Sequence, residues 1–150
     1  KIIDEVNLTL QVVATQRILE ETNPNISSVM VKLTYFDRAF MFTGDAGVAH
    51  SSDGEYTALA SGIDLRSDVL KAGHHGSVNS SSMPFLEAVQ PTYAVITTRE
   101  GGETQNLPHP DHIARLQAIG ATIFESKTHG HVCFVTDGID LNVTTSKGLD

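Results

Sequence analysis

A change of hydrophobic period partway along the chain constrains its fold more than any other feature. Val29, Val31, Leu33 and Tyr35 alternate with polar residues, Asp37-Arg38 turns the chain, and Ala39 to Phe42 returns. That is the pattern of an antiparallel hairpin with one better-buried face. Asp68 to Ala72 does not alternate, as expected of a strand covered on both faces. Around these lie further strand signals: Val6 to Val12, Tyr93 to Thr97, Thr122 to Phe124, and a closing hairpin. In that hairpin Val132 to Thr136 and Ile139 to Val143 flank Asp137-Gly138, which suits a tight type I′ turn.

Helix signals are interleaved with the strands. Glu55 to Ala60 is a candidate short helix. Ser80-Ser81-Ser82 before Met83-Pro84 offers hydroxyls to cap a helix that runs to Val89 and stops before Pro91. Pro110 opens another, with Ile113, Leu116 and Ile119 on one stripe and Gly120 at its close. Glu20 to Ser28, Gly47 to Gly54 and Arg99 to Leu107 read as connections, and the tail from Thr144 as frayed. The expected class is α/β with a mixed sheet, within a single domain spanning residues 1–150.

Composition limits the function. A net charge of −8 argues against a broad basic face that grips nucleic acid, yet leaves room for an enzyme touching one phosphate through bound cations. No apolar run is long enough to span a bilayer. The start, Lys1-Ile2-Ile3-Asp4-Glu5, lacks the features of a signal peptide and reads as cut from something longer. The lone Cys133 excludes an internal disulfide framework.

Two stretches carry candidate chemistry, each where a strand gives way to a loop: Phe40-Met41-Phe42-Thr43-Gly44-Asp45 and Gly73-His74-His75-Gly76-Ser77. A hydrolytic zinc centre needs carboxylates and neutral imidazoles converging from different loops. Asp45 suits a ligand, although Gly-Asp is also a common strand-ending turn. Adjacent histidines leave a loop in different directions, so at most one of His74 and His75 is expected to bind a given ion, while the other either bonds to substrate or supports the metal ligands from behind. Ser77 and Asn79 either bond a phosphate or lead into the helix cap. His109, between Pro108 and Pro110, either faces an anion or caps its helix. His109, Asp111 and His112 match the last three coordinating positions of His-x-His-x-Asp-His, with Leu107 where the first His belongs, which reads as coincidence. His129 and His131 read as hairpin polar residues, and His50 has no assigned role.

The order of these elements resembles the C-terminal half of a metallo-β-lactamase-fold hydrolase. It runs from an Asn-rich loop through a hairpin ending Phe42-Thr43-Gly44-Asp45 and a strand ending Lys71-Ala72-Gly73-His74-His75-Gly76-Ser77. Pro108-His109-Pro110 then precedes a helix closing in Ile119-Gly120. Within that superfamily it is most similar to the extracellular hydrolase domain of ComEC-type DNA-uptake proteins, over roughly residues 6–136. The resemblance implies a sandwich of mixed sheets flanked by helices, with Asp45 bridging two Zn or Mn ions and His74 a late metal ligand. It places His75 beside them as a catalytic neighbour and His109 where it faces substrate or stabilises charge.

The family's main metal motif, His-x-His-x-Asp-His, is expected outside this chain, in a missing N-terminal half. The expected activity is metal-dependent hydrolysis of a phosphodiester, with nucleic acid as the leading substrate class. Hydrolysis of a lactone or lactam, and a non-catalytic binding or assembly module, are the alternatives. A ComEC-type context would put the domain on the extracellular side of the membrane.

Overall fold

The computed structural model describes residues 3–15, 24–48, 54–99 and 107–148. It has the mixed α/β architecture expected from the sequence. One seven-stranded sheet runs in chain order from β1 (Ile3–Glu5) through β2 (Leu8–Ala14), β3 (Met30–Tyr35), β4 (Arg38–Phe42), β5 (Val69–Lys71) and β6 (Tyr93–Ile96) to β7 (Thr122–Glu125). β1 to β4 are antiparallel, whereas β4 to β7 are parallel. A separate hairpin pairs β8 (Val132–Thr136) with β9 (Leu141–Thr145).

Pairing registers set which side chains share a face, because residues alternate across a strand. Lys32 lies opposite Met41, Met41 opposite Leu70, and Leu70 opposite Ala94, so these share one face with Met30 and Ile96. That face forms the main core with α1 (Gly54–Ala60), α2 (Met83–Val89) and α3 (Pro110–Ala118) through Ala58, Phe85, Leu86, Val89 and Leu116. The other face carries Phe40, Val69, Tyr93 and Phe124. The hairpin lies across part of it, with Phe134 5.5 Å from Tyr93, 6.3 Å from Phe124 and 6.4 Å from Phe40, ring centre to ring centre.

Several sequence expectations shift in detail. Val6 leaves the first strand for a turn and is 87% exposed. The Ser80 to Ser82 hydroxyls do not cap α2; the buried Glu55 carboxylate of α1 does, accepting from the N–H groups of Ser81 (2.5 Å) and Ser82 (2.9 Å). Burial pushes the Glu55 carboxyl up, and those donors pull the other way. The Asp-Gly turn is a four-residue loop, because Asp137 Oδ1 accepts from both Ile139 and Asp140 N–H (2.9 and 2.8 Å). That moves the second hairpin strand to Leu141–Thr145, so Thr144 is paired with Cys133 rather than frayed. Of the expected connections, residues 20–23, 49–53 (with His50) and 100–106 lie outside the described residues. Among the described residues no helix is long and apolar enough to cross a membrane.

Candidate active site

Parallel strands deliver their C-terminal ends to one edge of a sheet, where α/β proteins collect ligand-binding groups. Here β4 runs out into Thr43-Gly44-Asp45, β5 into the Gly73–Gly76 turn, and β6 into Thr97-Thr98-Arg99. Thr43 Oγ1 donates to Lys71 O (2.8 Å), and His74 N–H donates to Gly44 O (3.2 Å), so the two loops are stitched together. Asp45 N–H donates to Ser28 Oγ (3.1 Å).

His74 and His75 both have left-handed backbones (φ 45° and 53°), which sends their rings apart, with centres 6.4 Å from each other. His74 turns towards Asn25, whose Nδ2 donates to its Nε2 (3.3 Å). His75 turns towards β6, and its Nδ1–H donates to Thr97 O (2.7 Å), with Thr97 Oγ1 at 3.1 Å. In the neutral imidazole, a proton on Nδ1 leaves a lone pair on Nε2. That lone pair faces Asp45 Oδ1 at 3.7 Å. The structure therefore sets His75, rather than His74, against the carboxylate.

Two acceptors in this pose want a cation between them. Tetrahedral zinc with bonds of about 2.0–2.1 Å holds two ligand atoms roughly 3.3 Å apart, close to the observed separation. An imidazole that ligates a metal also commonly donates its other N–H to a carbonyl, as His75 does to Thr97. Donor chemistry and spacing thus fit a divalent metal, but the donor number does not. Among the described residues no three His, Cys, Asp or Glu side chains converge. Among the described residues the cation beside the pair is Lys71, whose Nζ donates to Gly44 O (2.9 Å) and lies 4.0 Å from Asp45 Oδ1. Burial pushes its ammonium pKa down, and Asp45 opposes that.

The remaining candidates are placed differently. His109 is the N-cap of α3: its Nδ1 accepts from Asp111 N–H (3.2 Å), which leaves Nε2–H as a donor. Its own N–H donates to Gly76 O (2.8 Å), docking the helix start on the histidine turn. Ser77 Oγ accepts from Asn79 N–H within the local turn (3.4 Å), and Asn79 O accepts from Val48 N–H (2.8 Å), which ties that turn to the loop after Asp45. His112, set aside as coincidence, is fully buried; its Nδ1–H donates to Ser77 O (3.0 Å) and burial pulls its pKa down.

Sequence reasoning missed Lys71, Thr97 and Ser28 as site residues. A lysine closing an otherwise apolar buried strand was a readable signal for the first. Nothing local marks the other two, which meet the site only through the sheet.

No family model matches the chain. Over 113 residues it is 25% identical to ComE operon protein 3 of Bacillus subtilis (strain 168), covering 75% of this chain and 14% of that protein. It is 33% identical, also over 113 residues, to competence protein ComA of Neisseria gonorrhoeae, covering 73% of this chain and 15% of that protein. The chain therefore spans only a small fraction of the length of the curated relatives it matches. Over most of its own length, it is similar to short segments of two competence proteins.

Proposed function

We propose that this chain is the C-terminal part of a metallo-β-lactamase-like domain that hydrolyses phosphodiesters, nucleic acid above all, in DNA uptake. The observation that carries the reading is His75 Nε2 facing Asp45 Oδ1 at 3.7 Å, at the C-terminal edge of a parallel sheet. Similarity to two competence proteins supports the context. Asp45 and His75 are the metal-holding pair in this reading, with Zn or Mn as the ion and further ligands contributed from outside the described residues. A bound divalent ion supplies Lewis-acid polarisation of the phosphodiester and a lowered pKa for water. His74 stands on the same turn, held by Asn25, and His109 presents Nε2–H to a phosphate oxygen.

The test is Asp45→Asn in the longest available form of the protein, assayed on a bis-aryl phosphate and an oligonucleotide with added Mn²⁺ or Zn²⁺. Hydrolysis should fall at least about 100-fold, the upper end of what losing even an outer-shell partner costs a metal site. Metal content by elemental analysis should fall with it. Unchanged metal content and activity would remove Asp45 from the site and leave a binding or assembly module as the better description.

A further inference from the structure

Lysine is seldom buried without a carboxylate against it, because an ammonium taken out of water needs close pairing to recover its hydration. Among the described residues Lys32 is the one buried lysine or arginine, at 9% exposure. Strand β3 sets it on the helix-covered face of the sheet, opposite Met41. Its Nζ donates to Asp64 O (2.7 Å), which occupies one of three N–H groups, and no carboxylate among the described residues pairs with it. Burial pulls its ammonium pKa down; Asp64 opposes that, Arg66 adds to it, and Asp68 opposes it.

Lys32 lines a cavity of about 320 Å³ at the end of the sheet where β5 and β6 begin, away from Asp45 and His75. The other charged residues of its wall are Arg66, Asp37, Asp64 and Asp68. Two of these acids are matched already. Asp68 accepts from Arg38 Nη1 (2.9 Å) and Ala39 N–H (2.8 Å), and Asp64 accepts from Arg66 N–H (3.2 Å) and Nε (3.3 Å). Asp37 is different. Its N–H donates to Gly138 O (3.0 Å), which fixes the backbone, while its exposed carboxylate has no partner among the described residues. The cavity therefore holds a buried cation with donors to spare and, at its rim, an unmatched carboxylate.

We propose that this cavity binds a free α-amino acid, its carboxylate on Lys32 and its ammonium towards Asp37. A buried ammonium with spare N–H groups calls for an anionic group of accepting oxygens. The wall carries three acids against two bases, so a plain anion meets net repulsion, whereas a zwitterion, neutral overall, does not. A volume of about 320 Å³ lies at the lower end of the ~300–1,000 Å³ usual for ligand sites, which suits a small metabolite. The site is independent of the phosphodiesterase reading and stands or falls without it.

The test follows amide chemical shifts of the ¹⁵N-labelled chain during titration with L-alanine. Propionate and ethylammonium, each keeping one end of that molecule, are titrated in parallel. L-alanine should give saturable shifts at Ala39, Ser67 and Asp68, which line the cavity. Each fragment should bind at least about tenfold more weakly, as expected for the loss of one charge-assisted bond. Lys32→Met keeps an apolar stem in the core and should weaken L-alanine by about the same factor. Asp37→Asn should weaken L-alanine but not propionate, and it decides the matter if Lys32→Met does not fold, since its position is exposed. Shifts that grow without saturating, L-alanine binding unchanged in either variant, or propionate binding as tightly as L-alanine would each overturn the assignment.

Discussion

Removing the Glu55 carboxylate should loosen the frame behind the histidine turn. Glu55 is 1% exposed, and its two oxygens take the N–H groups of Ser81 and Ser82 at the start of α2. Glu55→Ala orphans both donors in a dry environment, at about 1–3 kcal/mol each, and removes a stabilising charge from a helix start worth ~0.5 kcal/mol. Relief of the carboxylate's own desolvation offsets part of this, leaving a net loss of about 2–4 kcal/mol. For a chain of this size that lowers the melting temperature by roughly 5–15 °C. Glu55→Gln keeps one acceptor and should lose about half as much. The pH dependence has a definite sign. Burial holds the folded-state pKa above its ordinary 4.5, so this group's contribution is fully present below 4.5 and lost as pH rises through the folded value. The advantage of the native protein over Glu55→Gln should therefore shrink as pH rises above 4.5. Urea titrations of the three proteins at several pH values measure all of this. An alanine loss below about 1 kcal/mol, or an advantage that grows with pH, would refute the reasoning.

Two further perturbations bear on the same frame. Gly76→Ala puts a Cβ 2.5 Å from Pro108 Cβ at a φ of +83°, so it should cost about 2–4 kcal/mol in denaturant titrations and undock His109 from the turn. His112→Leu gives up the bond to Ser77 O, costing about 1–2 kcal/mol at pH 8. Because burial lowers the His112 pKa, its contribution is present above the ordinary 6.5 and lost as pH falls through the folded value. Thermal melts of His112→Leu should therefore lack part of the native protein's acid-side loss of stability.

Most of the architecture was legible because it is written in local patterns. Alternation placed β3 and β4, the apolar run at Val69 placed β5 between parallel neighbours, and Pro110 with the Ile113–Leu116 stripe placed α3. What failed depended on partners distant in sequence or on side chains acting on the backbone. Glu55, 27 residues before Ser82, does the capping that the serines suggested. Asp137 reaches forward to two N–H groups and converts a two-residue turn into a longer one. The two loops that the motifs singled out lie side by side, but which histidine meets Asp45 follows from backbone angles that no spacing rule encodes.

The paired left-handed histidines have an evolutionary cost attached. Residues with a Cβ hold such angles at a penalty of about 1–2 kcal/mol apiece, and glycine would relieve it at either position. A screen that rewards only thermal tolerance would thus be drawn to His74→Gly and His75→Gly early, trading the imidazoles for relief of strain. Robustness and reactivity pull against each other there, and persistence of histidine under such pressure would mark selection for chemistry rather than shape.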